Sequence, residues 1–155
     1  MLAIRPDDWN FPLLLHVAGA MLLVGTLLVA VWALLVAPRR TDGADVGVGL
    51  TRLGWWTLLA GVLPSFLLMR LAGQWIASKE GLDESNATWI GVGYFTGDLG
   101  LLVLLVTLVL GGLAARRARR ANEGGGGLAT AAGALAAILL IAYLVAVWAM
   151  TTKPE

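Results

Sequence analysis

Cysteine is absent from the 155 residues, histidine occurs once, and charged residues make up only 14%. Without cysteine there is no disulfide framework, no thiolate zinc site, no iron–sulfur cluster and no cysteine nucleophile. The shortage of charge excludes more. Average soluble domains are about 25% charged and about 45–50% apolar, whereas this chain is 59% hydrophobic with a mean hydropathy of +0.82. Eleven basic and ten acidic side chains are too few to coat a globule carrying so much Leu, Val and Ala. A cytosolic enzyme domain is excluded, and a net charge of +1 gives no electrostatic footprint for nucleic acid. A Walker loop, a Gly-x-Gly-x-x-Gly fingerprint and a nucleophile–base pair are also missing. Gly91-Val92-Gly93 and the glycines from Gly124 to Gly127 lack the following Lys or strand context that phosphate binding needs. The sequence therefore points away from an enzyme.

What the chain does have is long apolar runs: Phe11 to Ala37, Leu53 to Ile76, a third from about residue 90 to Ala115, and Gly127 to Met150. A helix needs roughly 20 residues to cross about 30 Å of hydrocarbon at 1.5 Å per residue, and every run is long enough. The sequence thus predicts an all-α, polytopic membrane protein, a single domain of four transmembrane helices in a compact bundle. The spans are expected at 11–37, 53–76, 90–115 and 127–150, with an outer loop over 77–95. The first run is too long for the apolar core of a signal peptide and follows Arg5, Asp7 and Asp8, so it is expected to be retained.

Orientation follows from the arginines. Arg39, Arg40, Arg52, Arg116, Arg117, Arg119 and Arg120 fall in the loops 38–52 and 116–126, while Arg5, Arg70, Lys79 and Lys153 fall on the other side. The positive-inside rule makes the first set cytoplasmic, so both termini and the long loop face outward. Nine Arg against two Lys, with heavy Ala, Gly, Leu and Val, suggests a GC-rich bacterial genome and hence the plasma membrane. All seven tryptophans fit interfacial belts: Trp9, Trp75, Trp89 and Trp148 outside, Trp32, Trp55 and Trp56 inside. The arginine clusters also suit anionic lipid headgroups.

Small residues recur at helical spacing. Gly19, Ala20, Thr26, Ala30, Ala33 and Ala37 form a stripe on the first helix that also carries His16; Gly54, Thr57, Gly61, Ser65 and Ala72 form one on the second, with Met69 nearly on the same face; Ala129, Gly133, Ala136 and Ala137 form one on the fourth. Such faces let backbones approach closely, which is how helices associate in lipid. Val62 is expected to face lipid. Pro64 should kink the second helix and release the carbonyl of Ala60.

The residues with chemistry share a depth. His16, Met69, Arg70, Asp98 and Met150 all lie within about two turns of the outer interface. Ionisable groups within spans are costly enough to be functional candidates. His16 is a proton carrier or, through a neutral nitrogen, a ligand for a metal or haem iron; with Met69 or Met150 it would form a His/Met iron pair, with Arg70 meeting haem propionates. Plainer readings stand beside these. His16 hydrogen-bonds a neighbouring helix, Arg70 points away from the small stripe and snorkels to headgroups, Asp98 sits in the first turn of the third helix with Thr96 as N-cap, and both methionines are packing residues.

The stretch Leu14-Leu15-His16-Val17-Ala18-Gly19-Ala20-Met21-Leu22-Leu23-Val24-Gly25, followed by Pro38-Arg39-Arg40, resembles the first helix of small bacterial membrane proteins related to the copper-resistance D family. That family often opens with a Leu-His-x-x-(Gly/Ala) helix whose second half carries Trp-x-Gly-Gly. In the similar membrane protoporphyrinogen oxidases the corresponding histidine is associated with haem, which the resemblance carries to His16 alone. This chain lacks the Trp before the glycines and any second histidine, so bis-histidine ligation does not transfer. Three readings follow: a four-helix plasma-membrane protein holding haem or a similar hydrophobic cofactor near His16; an accessory subunit of a larger membrane complex or a homo-oligomer, with no cofactor; and a copper or proton transporter. The transporter has least support, since only Thr26, Thr57 and Thr107 offer polar steps toward the arginine side.

Overall fold

A computed structural model describes residues 10–40, 44–80 and 88–152. These form α1 (Asn10–Val36), a short 3₁₀ turn (Ala37–Arg39), α2 (Ala44–Thr57), a π-helical segment (Leu58–Val62), α3 (Leu63–Glu80), α4 (Thr88–Ala121) and α5 (Gly126–Thr152). No strand occurs among the described residues. α2, the π segment and α3 run on as one long rod, so four helices are long and apolar enough to cross a membrane. This is the expected all-α, four-span architecture.

The helices pack in chain order around a ring. α1 lies against the α2–α3 rod on one side and α5 on the other, α5 lies against α4, and α4 closes the ring on α2. Leu23, Leu27 and Leu34 of α1, Leu58, Val62 and Phe66 of the rod, Leu104 of α4 and Leu139 of α5 fill the centre. Outward faces remain apolar, as in Leu71, Leu102, Val109 and Ile141, which suits helices surrounded by lipid. The small stripes sit where expected: a Cβ on Gly61 would lie 2.9 Å from Thr26, one on Gly54 2.6 Å from Leu34, and one on Gly133 2.8 Å from Leu35.

Several boundaries move. The second helix begins at Ala44 and not near Leu53, because Pro38 ends α1 and the chain re-enters a helix before Arg52. α4 begins at Thr88 and runs on through Arg116, Arg117, Arg119 and Arg120, so these four line its last turns instead of a loop; cations suit a helix C-terminus. The chain then turns through Asn122 and Gly125, both with positive φ, the left-handed conformation that stops a helix. Of the loop expected over 77–95, residues 81–87 lie outside the described set and the rest is helical.

Two side-chain expectations fail as well. Val62 is fully buried in the core, not lipid-facing. Trp55 is half-buried, its indole packed against α4 so that a Cβ on Gly112 would lie 3.1 Å from Nε1. Trp32, Trp75 and Trp148 are exposed near helix ends, as belt residues are, and Trp56 is exposed partway along the rod; Trp9 and the side chain of Trp89 lie outside the described residues.

Candidate functional site

His16 sits on the face of α1 turned toward α3. Its Nδ1 lies 2.8 Å from the backbone carbonyl oxygen of Met69. A carbonyl only accepts, so Nδ1 carries the proton and donates it. The other ring nitrogen, Nε2, is then the atom with a lone pair in neutral imidazole, and no hydrogen bond from the described residues occupies it. Gly73, one turn beyond Met69, makes room for the ring: a Cβ there would lie 3.0 Å from Nδ1 and 3.1 Å from Cε1. One turn along α1, Gly19 brings the two backbones together, where a Cβ would stand 2.7 Å from the Met69 nitrogen.

The other candidates separate by helix. The α1 and α3 backbones are in contact at Gly19, so Met69 meets His16 through its carbonyl while its side chain packs against the core. Met150 is half-buried near the end of α5. Among the described residues no group of three or more His, Asp or Glu side chains gathers into a metal cluster.

Arg70 does not reach outward to headgroups. Its guanidinium donates to the Asp98 carboxylate of α4 in an ion pair, with the arginine side chain 21% and the aspartate 71% exposed. The guanidinium lies against Gly97. Asp98 consequently serves as an interhelical partner and not as a first-turn carboxylate, since α4 begins ten residues earlier at Thr88. Arg70 does lie opposite Ala72, as their spacing within α3 requires, but that opposite side of α3 is turned toward Asp98 of α4 and not toward headgroups.

Tyr143 of α5 escaped the sequence reading. Its ring packs near Phe66, with centroids 6.3 Å apart, and its hydroxyl is buried against Gly100 with no hydrogen-bond partner among the described residues. The available signal was a lone hydroxyl inside the aliphatic run from Leu139 to Val147.

No protein-family model, curated protein sequence or solved structure matches this chain. Of the polar steps expected toward the arginine side, Thr26 donates to Leu22 O and Thr107 to Val103 O, each within its own helix. These hydroxyls are spent locally and do not form a chain between helices.

Proposed function

We propose that this chain is a protein of a bacterial plasma membrane, with both termini outside and the arginine-rich end in the cytoplasm, that holds haem or a similar hydrophobic cofactor in the outer leaflet through His16. The single observation carrying the reading is the hydrogen bond from His16 Nδ1 to Met69 O. Metal-ligating imidazoles commonly donate their other N–H to a backbone carbonyl, which fixes the tautomer and ring orientation and raises the basicity of the ligating nitrogen. His16 would hold the iron through Nε2, Met69 O would orient it, and Gly73 would keep the ring in place. Haem, when bound, supplies one-electron redox chemistry.

The same hydrogen bond supports a second reading, an accessory subunit in which His16 ties α1 to α3 and binds nothing. The absorption spectrum of the purified full chain separates the two. A Soret band, present as isolated or after adding haemin and lost in His16→Ala, supports the cofactor reading; wild-type protein without a bound chromophore after haemin addition overturns it.

A further inference from the structure

Where α4 packs on the α2–α3 rod, it does so at the arginine-rich end: Trp55 and Leu58 lie against Gly112 and Gly111. Toward the other end α3 and α4 scarcely touch through their backbones, and the Arg70–Asp98 ion pair spans the separation. Two polar side chains reach the same glycine-lined face of α4 there. Arg70 lies against Gly97 and Tyr143 Oη against Gly100, positions three apart and so on adjacent turns, about 5–6 Å from one another. Both are hydrogen-bond donors. One of them, the buried hydroxyl of Tyr143, a residue 4% exposed, has no acceptor among the described residues, an arrangement that costs stability unless something else accepts its proton.

We propose that the notch between α3, α4 and α5 is an oxyanion-binding site for the headgroup of an anionic amphiphile, with Arg70 and Tyr143 as its donors and Asp98 as a displaceable internal stand-in for the ligand. Asp98 is mostly exposed, so its carboxylate is free to turn toward solvent when another anion takes its place on the guanidinium. Arg70 supplies a planar fork suited to carboxylate or phosphate oxygens. Tyr143 supplies the donor that Asp98 leaves unused. Few backbone contacts join α3 to α4; the proposal requires a lipid headgroup to enter between them and to reach the Tyr143 hydroxyl, which is closed to solvent in the unliganded chain. The inference goes beyond the cofactor reading and does not use His16.

The test uses the purified full chain in neutral detergent and reads the shift in melting temperature against added dioleoyl phosphatidylglycerol, dioleoyl phosphatidylcholine or inorganic phosphate. The phosphatidylglycerol should stabilise the wild type and the phosphatidylcholine should not. Asp98→Asn should tighten phosphatidylglycerol binding, by up to about fivefold, since it removes a competing, largely exposed ion pair. Tyr143→Phe, which keeps the ring and loses only the hydroxyl, should weaken it about three- to tenfold, and Arg70→Gln at least as much. The arginine cluster at the other end is unchanged in all three variants, so these differences report on the notch. If inorganic phosphate alone reproduces the shift and its increase in Asp98→Asn, the oxyanion is a free ion and not a lipid headgroup, and the lipid assignment falls. If Asp98→Asn binds no more tightly than wild type, or Tyr143→Phe binds equally well, the site itself is overturned. Loss of the Soret band in His16→Ala is independent of every one of these outcomes.

Discussion

Gly19 and Gly25 lie six residues apart on one helix and have opposite surroundings. A methyl group on Gly19 would stand 2.7 Å from the nitrogen and 2.9 Å from the Cα of Met69, atoms of a helical backbone that cannot move aside singly. Gly25 has nothing within 4 Å. Gly19→Ala should therefore push α1 off α3 and stretch the His16–Met69 hydrogen bond, at a cost of roughly 1–3 kcal/mol. Gly25→Ala should stabilise the chain by about 0.5–1 kcal/mol, since alanine loses less backbone entropy in a helix interior. Melting of the two variants in detergent should move in opposite directions; a common direction would mean that the α1–α3 contact does not control stability. The same contact gives the imidazole of His16 a fixed carbonyl to donate to and so selects Nε2 as the unprotonated nitrogen of the neutral ring.

The α2–α3 rod carries an element-level device in its π segment. Leu63 N–H bonds Leu58 O, five residues back, so the turn before Pro64 is one residue wider than an α-helical turn. Proline has no N–H to offer Ala60 O and its ring crowds that carbonyl, and the wider turn relieves both problems without breaking the helix. The extra residue also rotates everything after it relative to α2, by about 100°. That rotation sets which face of α3 meets α1 and which carries Arg70 toward Asp98. Deleting the exposed Ala60 together with Pro64→Ala should restore a continuous α-helix while keeping both flanking faces, and the melting temperature should fall by no more than about 4 °C, the equivalent of ~1 kcal/mol at this length. Deleting Leu68, inside regular α3, should turn Arg70, Ala72 and Gly73 away from their partners and abolish a cooperative melt. Equal behaviour of the two deletions would rule out the π segment as a one-residue insertion.

At the scale of the whole molecule, four spans place Asn10 and the end of α5 at the same end of the bundle, away from the exposed arginines of α2 and of the last turns of α4. In the proposed orientation, drawn from the charge asymmetry, that end faces outside. A periplasm-dependent reporter fused after Glu155 should be active and a cytoplasm-dependent one inactive. The reverse pattern would put the arginines outside and move the Arg70–Asp98 and His16 level to the cytoplasmic leaflet. What the sequence by itself determined was the number of spans and the small faces through which they meet, because both follow from local periodicity: twenty apolar residues must be a helix in lipid, and Gly19, Gly61 and Gly133 mark close approach whatever the partner. His16 facing protein was legible for the same reason. The helix starts at Ala44 and Thr88 were less so, since the polar ends of these long helices extend beyond the apolar runs that reveal them. The small stripes marked the first, second and fourth helices as neighbours, but the pairing of the third span was not legible. Whether Arg70 meets a headgroup or Asp98, whether Val62 meets lipid or core, and whether Tyr143 finds an acceptor depend on the phase set by the π segment and on which second neighbour each helix acquires when the ring closes. Those are properties of the packed bundle, fixed by long-range contact, and no single stretch of residues encodes them.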